Sequence, residues 1–424
     1  MIIFMLMFFV IAIGVTIYLK FPQLHVLNKV SKCSNKKTKQ TFYLSLATNL
    51  GVGNLVGVST AIYLGGCGVI FWMALFSIFS SALAFLENYY AISSQVNTEH
   101  GTFAGTCYTI VKYLNGRTGK ILALIFSIFL ILTNTLFFPP IQINAIVSVF
   151  PKKHNLLFSI ILITVILIIT FGGIKSILKV TDKYVGLFAI LYFGVLVIAI
   201  VTKFDQLGLI LKEIIISAFN IKTVGISVFF SMFTTSISKS LFSNEAGLGT
   251  IPSLTGISDK NEIEVVSYFQ LLGVLVDTLV LCSLTGIFIM LYGDGYNGNI
   301  VSMLSYCFKE FLGNIGLIIY AVFIIFFGFV SVLGLYYLGE NNLMYLVIYH
   351  NVSFKKAKLI YQILFIIGIV IGIFGSFSNI MWLVDIGIII LGTINLFVLI
   401  RIENCQKMLK NNHKITWRNL IIML

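Results

Sequence analysis

The chain has 424 residues, of which 58% are hydrophobic and only 10% are charged, and its formal net charge is +13. A soluble domain of this length could not bury so much apolar surface, which excludes a water-soluble globular protein. The apolar runs are continuous rather than alternating, which also excludes a transmembrane β-barrel.

Eleven apolar runs follow one another along the chain, and each is long enough to cross a hydrocarbon core of ~30 Å. The first run has neither the basic amino-terminal region nor the small-residue cleavage site of a signal peptide, so we expect it to remain as a helix. The sequence therefore predicts an all-α polytopic membrane protein with eleven transmembrane helices. In chain order the helices cover residues 1–19, 41–64, 69–93, 120–148, 156–172, 184–202, 224–256, 262–292, 313–338, 358–375 and 380–400.

The basic residues are distributed unevenly between the predicted loops. If the lysine-rich loop after the first run is cytoplasmic, the inner loops and the carboxy-terminal tail hold 21 of the 28 Lys and Arg residues. By the positive-inside rule the amino terminus is then outside and the carboxy terminus is cytoplasmic, in a multi-pass protein of the cell membrane. The excess charge therefore indicates topology and contact with membrane lipids, and it does not indicate a nucleic-acid partner.

The second run contains ATNLGVGNLVGVSTAIYLGG, with glycines at Gly51, Gly53 and Gly57. Each glycine costs ~1 kcal/mol relative to alanine inside a helix, so the helix is predicted to unwind here. Unwound backbone is tolerated at membrane depth only inside protein or beside an aqueous cavity, where Asn49 and Asn54 would also be satisfied. Close helix packing through Gly53 and Gly57 is the alternative, but it does not account for the two asparagines.

A second interruption is predicted in the seventh run, which contains SLFSNEAGLGTIP. An amide and a carboxylate at Asn244 and Glu245 cost several kcal/mol in the membrane unless they are paired, hydrated or bound to a ligand. Five runs begin with each interruption, and because five is odd the two halves enter the membrane in opposite directions. Two interrupted helices at matching positions in inverted halves are typical of the binding site of a secondary transporter.

This count divides the chain into five predicted parts. They are an amino-terminal helix with a basic cytoplasmic loop (1–40), a first five-helix repeat (41–203), an extracellular amphipathic connector (204–223), a second five-helix repeat (224–400) and a basic cytoplasmic tail (401–424).

An unwound helix offers two kinds of ligand at one place. The half-helix that continues after the break presents free N–H groups and a positive dipole end, which suit a carboxylate. The half-helix before the break ends in free carbonyl oxygens, which suit Na⁺. One break can thus hold an amino acid and a cation together, which is a physical basis for coupled transport.

Several segments resemble the alanine/glycine:cation symporter family, also called the sodium:alanine symporters. GVGNLVGVSTAIYLGGCGVIFWM and SLFSNEAGLG are similar to the family signatures at the two breaks. FGGIKSILKVTDK, GVLVDTLVLCSLTG, YYLGE and NIMWLVDI resemble further family segments, in the same order. The resemblance implies the leucine-transporter-like fold, a 5+5 inverted repeat with one extra amino-terminal helix. It also implies uptake of a small neutral amino acid driven by Na⁺ or H⁺, with no cofactor besides the coupling ion.

The resemblance also implies site residues. The amides around Val52 and Gly53 would receive the substrate carboxylate. The implied substrate-binding residues are Gly51, Val52, Gly53, Asn54, Gln142, Asn244, Gly247 and Leu335. Of the implied Na⁺ ligands, the side chain of Asn54 and the carbonyl of Asn49 would form one site, and the carbonyls of Ala47 and Leu50 would form the other with Ser331.

Departures from the family pattern leave the substrate and the ion stoichiometry open. Val52 replaces a usual threonine, Val330 replaces a hydroxyl residue, and Leu335 replaces a tryptophan, so the pocket is expected to be wider. An H⁺-coupled symporter and a carrier of a larger neutral amino acid such as glutamine therefore remain alternatives. A channel and a transporter-like sensor are rivals from other classes, whereas no catalytic constellation favours an enzyme.

Three carboxylates, Glu87, Asp277 and Asp385, fall within or near the ends of predicted spans. Pairing between helices is the default interpretation for each of them. Asp277 is the best functional candidate of the three because it lies in the middle of its span, where it could bind an ion or a proton.

Overall fold

The computed structural model describes residues 1–99, 101–114, 116–150, 155–220 and 225–409. Residues 221–223 of the predicted connector and 410–424 of the predicted tail lie outside the described residues. The described chain is almost entirely helical, apart from an antiparallel hairpin formed by β1 (Val96–Thr98) and β2 (Gly101–Phe103).

Helices α1 to α11 occupy the first half of the chain. Their bounds are Ile2–Tyr18, Val26–Val30, Lys36–Asn49, Val56–Gly65, Val69–Ser93, Thr106–Tyr113, Arg117–Leu132, Phe138–Ser148, Asn155–Phe171, Ile174–Thr202 and Phe204–Phe219. Helices α12 to α18 occupy the second half, with bounds Ile226–Asn244, Ile263–Val274, Ser283–Tyr292, Met303–Leu312, Asn314–His350, Phe354–Phe374 and Phe377–Leu409.

Seven helical segments of the described chain are long and apolar enough to cross a membrane, and the bent pair at the amino terminus would make eight. The sequence predicts eleven spans. The difference has a physical cause, because two predicted spans are broken and a third, near Leu157–Phe171, falls short of the length of a full span. The structure therefore shows a polytopic helical protein, and the total of eleven stays a prediction.

The predicted interruption of the second run is present. Helix α3 ends at Asn49, Gly51 is extended with φ −108° and ψ −157°, and a 3₁₀ turn covers Val52–Asn54 before α4 begins at Val56. The N–H of Gly51 donates to the carbonyl of Asn49 at 2.7 Å. It is therefore not available to the Ala47 carbonyl, which it would bond in a continuous helix.

The predicted interruption of the seventh run is present as well. Helix α12 ends at Asn244, and Glu245 adopts a left-handed conformation with φ +52°. Gly247 and Gly249 follow with φ +84° and +73°, and a 3₁₀ helix then covers Ile251–Ile257. Positive φ values are readily adopted only by glycine, which explains the Gly-x-Gly spacing.

The two broken spans lie side by side and run antiparallel. Near one end Thr41 and Ser258 share a hydrogen bond of 2.8 Å. At the level of the breaks a Cβ on Gly53 would lie 3.0 Å from the Cα of Ser243, and at the other end a Cβ on Gly65 would lie 3.3 Å from the Cα of Met232. Residue numbers that increase along the first span thus face residue numbers that decrease along the second, so the two spans are antiparallel.

Two predicted spans contain a wider helical turn near their middle. Residues Thr133–Phe137 join α7 to α8 as a π-helical turn, and Leu275–Cys282 joins α13 to α14 in the same way. Such turns displace the helical register and often occur at functional sites. Asp277 lies within the second of these turns. Gln142 lies in α8, after the first of them, on the face that meets the first break.

The amphipathic connector predicted over 204–223 contains helix α11. Its buried residues Ile210, Ile214 and Ala218 recur every four positions and form one apolar face. The indole N–H of Trp72 donates to the Ala218 carbonyl at 3.0 Å, and the Gly68 N–H donates to Ser217 Oγ at 3.2 Å. The connector is therefore docked on the start of α5, directly after the first broken span.

The approach of α17 to the π-helical turn gives a packing prediction. A Cβ at Gly368 would overlap the carbonyl oxygen of Thr135. We expect Gly368→Ala to lower the melting temperature of the purified protein, because overpacking of this kind costs ~1–3 kcal/mol.

The matched control is Gly194→Ala in α10, where a new Cβ meets nothing within 4 Å. Its melting temperature should be unchanged or higher, since alanine is favoured over glycine in a helix by ~1 kcal/mol. Equal melting temperatures for the two variants would contradict the packing described here.

Candidate functional site

The first break meets α8 through a backbone amide. The N–H of Val52 donates to Oε1 of Gln142 at 2.8 Å, and both residues are buried. By the family resemblance, this is one of the amides that would receive a substrate carboxylate. The structure thus brings together two predicted substrate-binding residues that are 90 positions apart.

Gly51 occupies a narrow place between α8 and α16. A Cβ at this position would lie 2.8 Å from both amide atoms of Gln142 and 2.8 Å from Oγ of Ser331. Ser331 Oγ in turn donates to the Thr48 carbonyl at 3.0 Å. The side chain of Ser331 therefore lies at the carboxy-terminal end of α3, beside the last helical turn, which contains Ala47.

A buried carboxylate lies beside both breaks. Oδ1 of Asp277 accepts from Nδ2 of Asn54 at 2.7 Å, and its Oδ2 accepts from Oγ of Ser243 at 2.7 Å and from Oγ1 of Thr278 at 2.9 Å. Ser243 Oγ also lies 3.0 Å from Oδ1 of Asn54. Asp277 is fully buried, and within the described ranges it makes no ion pair with a basic side chain.

Asn244 extends this network along the second break. Its Nδ2 donates to Thr278 Oγ1 at 3.0 Å, and its Oδ1 accepts from the Ala246 N–H at 3.0 Å. The last residues of α12 and the first break are thus joined through one set of polar side chains around Asp277.

Two of the predicted substrate residues make no hydrogen bond to the first break among the described residues. The N–H of Gly247 donates to Glu87 Oε1 at 3.2 Å, and a Cβ on this glycine would meet the ring of Phe8 and a methyl group of Leu83. Leu335 of α16 is buried and lies one helical turn after Ser331.

The predicted cation ligands cluster at the end of α3. Ala47, Asn49, Leu50 and Asn54 are all buried, and Oδ1 of Asn49 is buried without a hydrogen-bond partner among the described residues. The Asn49 carbonyl, by contrast, already accepts the Gly51 N–H at 2.7 Å. Carbonyl, amide and hydroxyl oxygens of this kind are the ligands that hard cations prefer.

Sequence reasoning did not include Ser243 or Thr278 in the site, although it marked Asp277 as a candidate. No local pattern distinguishes these hydroxyls from other serines and threonines in helices. The available signal was the position of Ser243 one residue before Asn244, at the end of an interrupted helix.

Lys239 and Asp385 form a separate ion pair between α12 and α18. Their Nζ and Oδ1 atoms are 3.5 Å apart, and Ser238 Oγ donates to the same carboxylate oxygen at 2.8 Å. This is the pairing between helices that the sequence predicts as the default for such residues, and it removes Asp385 from the candidate site.

Long apolar helices, two antiparallel broken spans and a polar junction between them define a multi-pass membrane protein of the secondary-transporter class. A model of the sodium:alanine symporter family matches residues 1–418, and the chain belongs to this family. The protein is therefore a cation-coupled amino-acid symporter and not an enzyme.

Individual relatives agree with this assignment. The chain is 30% identical over 400 residues to a probable sodium/glutamine symporter, GlnT, of Bacillus subtilis, an alignment that covers 91% of this chain and 82% of GlnT. It is 28% identical over 369 residues to the amino-acid carrier protein AlsT of the same organism, covering 86% and 77% of the two chains. It is 28% identical over 360 residues to the sodium/alanine symporter AgcS of Methanococcus maripaludis, covering 79% and 78%.

The close approach of the breaks gives a test of the site. A side chain on Gly53 would press on the backbone of Ser243, with a Cβ only 3.0 Å from its Cα. We expect Gly53→Leu to abolish amino-acid uptake while the protein still reaches the membrane, because the leucine would separate the breaks and fill the space beside the Val52 amide.

Gly57→Ala is the matched control, since a Cβ there would make only an ordinary contact of 3.7 Å with Phe242. It should keep uptake near the wild-type rate. If both variants were equally inactive, helix packing through the two glycines, and not a ligand site, would explain their presence.

Proposed function

We propose that this protein carries a small neutral amino acid of the alanine/glycine class into the cell together with Na⁺, by alternating access. The observation that carries the proposal is the buried carboxylate of Asp277 at the junction of the two breaks, which makes no ion pair within the described residues. Family membership supports cation-coupled amino-acid transport, and the geometry of the junction supports the assignment of ligands.

Asp277 supports a cation site because its negative charge has no basic partner among the described residues. A buried charge without a counter-ion costs several kcal/mol, and hydroxyl and amide donors offset only part of that cost. A bound cation would remove the cost, and Asn54 and Ser243 add neutral oxygens next to the carboxylate. We assign Asp277, Asn54 and Ser243 to one proposed Na⁺ site.

The second proposed Na⁺ site keeps the ligands implied by the sequence. It comprises the carbonyls of Ala47 and Leu50 with the hydroxyl of Ser331. The hydrogen bond from Ser331 to the Thr48 carbonyl supports this assignment, because it holds the hydroxyl at the end of α3. Asn49, which the family resemblance places with Asn54, would be added to this second site. It would contribute its side-chain oxygen, which has no partner among the described residues, rather than its carbonyl, which accepts from Gly51.

The proposed substrate position is the Val52 amide and its surroundings. Gln142 Oε1 accepts from this N–H, so the amide is directed toward a side-chain oxygen and not toward the backbone. A substrate carboxylate would replace Gln142 at the N–H, and the freed amide of Gln142 would then bond the substrate. Gly51 and Gly53 have no side chains to obstruct it, and Asn54 places the cation beside it.

The proposed architecture is a 5+5 inverted repeat of eleven transmembrane helices, with the amino terminus outside and the carboxy terminus cytoplasmic. The antiparallel contact of the two broken spans supports it, because inverted halves would place their first helices in this way. The excess of Lys and Arg in alternate loops supports the orientation.

Glutamine is the second candidate substrate, and two observations favour it. The relative GlnT carries the name of a sodium/glutamine symporter. In addition, Leu335 stands where the family pattern has a tryptophan, which leaves more room if this part of α16 borders the substrate.

Uptake into proteoliposomes tests the proposed function. Labelled alanine, glycine and glutamine would each be supplied with and without an inward Na⁺ gradient, and we expect Na⁺ to stimulate uptake of at least one. Stimulation by an inward H⁺ gradient alone would replace Na⁺ by H⁺ as the coupling ion. Binding of all three without any flux would show a sensor, and the proposal would be wrong.

Asp277→Asn tests the cation site. The variant keeps the shape of the side chain but loses its charge, so the Na⁺ concentration for half-maximal uptake should rise roughly tenfold or more. Ser243→Ala, which removes one neutral ligand, should raise it by less. An Asp277→Asn protein with wild-type Na⁺ dependence would remove Asp277 from the proposed site.

A further inference from the structure

Glu87 of α5 is a second buried carboxylate, and it lies outside the proposed substrate and cation sites. Its Oε1 accepts from the Gly247 N–H at 3.2 Å, and its Oε2 accepts from the Gly249 N–H at 3.0 Å. Nδ2 of Asn395 in α18 donates to the same Oε2 at 2.8 Å. Both oxygens of Glu87 are thus bound by donors, two of which are backbone amides of the second break.

The backbone of the second break is shaped to receive this carboxylate. Gly247 and Gly249 have positive φ values and direct their N–H groups toward one anion, as in other anion-binding concavities of backbone amides. The same Nδ2 of Asn395 also donates to the Gly247 carbonyl at 2.9 Å, which joins the segment to α18 as well. A Cβ at Gly249 would lie 2.8 Å from side-chain atoms of Asn395, so the contact requires glycine.

Both oxygens of Glu87 accept hydrogen bonds, so these donors would compensate the charge of an ionised Glu87. In the part of the chain that the structure describes, Glu87 forms no ion pair with a basic side chain. Hydrogen bonds to an ionised acceptor are roughly twice as strong as neutral ones. Two such bonds would join the second break to Glu87, and a third would join Asn395 of α18 to it.

We propose that Glu87 is a permanent internal ligand of the second break, which fills the amide site that a substrate carboxylate would otherwise occupy there. The two breaks then differ in use. The first break takes the substrate, which rests on the proposed function. The second break is held by hydrogen bonds to α5 and α18. Glu87 is a positioning residue, because these bonds fix the segment immediately after Ser243 and Asn244.

Glu87→Gln gives the first test. The isosteric amide keeps one acceptor oxygen but turns an NH₂ group toward a donor, so at least one of the three bonds is lost. The maximal uptake rate of whichever of labelled alanine, glycine and glutamine the wild type carries should fall roughly tenfold, the effect of losing one charge-assisted bond. The half-saturating concentration of the amino acid should change less, because all bonds of Glu87 go to the second break and α18.

Glu340→Gln is the matched control, since Glu340 of α16 pairs with Lys358 at 2.6 Å and touches neither break in a hydrogen bond. It should transport near the wild-type rate. A Glu87→Gln protein with the wild-type maximal rate would overturn the proposal. Failure of Glu87→Gln to reach the membrane, where Glu340→Gln does so, would support it, because the same substitution would then be tolerated at a carboxylate that is paired with a lysine and not at the one that is bound by the second break.

Chemical rescue gives the second test, and it distinguishes a ligand role from simple packing. Glu87→Ala leaves the amides empty in a space that fits acetate. Sodium acetate should raise the melting temperature of this purified variant more than that of the wild type or of Glu340→Ala, whereas neutral acetamide at the same concentration should not.

The melting measurement does not depend on transport, so it separates this proposal from the proposed function. Rescue by acetate in a protein that carries none of the three amino acids would uphold the internal ligand and refute the transport assignment. Acetate that stabilises Glu87→Ala no better than acetamide does would overturn the internal ligand while leaving transport intact.

Discussion

The structure depends on one constraint, which is that every backbone N–H and C=O at membrane depth needs a partner inside the protein. Each broken span leaves several of these groups without their helical partners. The protein supplies new ones from distant helices, Gln142 for Val52 and Glu87 for Gly247 and Gly249. The positions of Gln142 and Glu87 are therefore explained by the breaks.

The antiparallel approach of the broken spans explains how a cation and a substrate can depend on each other. Asn54 belongs to the first break and Ser243 to the second, and Asp277 bonds both. A cation held by these oxygens would lie next to the proposed substrate amide at Val52. Each ligand would then stabilise the arrangement that the other requires, and such coupling is reciprocal by thermodynamic necessity.

Much of the fold and part of the site could be predicted from the sequence. Gly-x-Gly spacing inside apolar runs located both interruptions, because glycine destabilises a helix locally. Gln142 and Ser331 followed from the family resemblance. Apart from Thr278, which is adjacent to Asp277, the partners of Asp277 and Glu87 could not be predicted, since they lie 34 to 308 positions away along the chain. Gly247 was expected beside the substrate, but its amide direction depends on a left-handed turn that composition does not reveal.

The chemical difference between Gln142 and Glu87, the internal partners of the two breaks, would account for a different role of each break. Gln142 is neutral, so its bond to the Val52 amide is of ordinary strength, and an incoming carboxylate would form a stronger bond at the same N–H. Glu87 is itself a carboxylate with three donors, and a substrate would gain nothing by replacing it. A neutral partner would thus keep one break exchangeable, and a charged partner would keep the other closed, although both breaks expose the same backbone groups. An inverted repeat can in this way give two similar interruptions and a single substrate site.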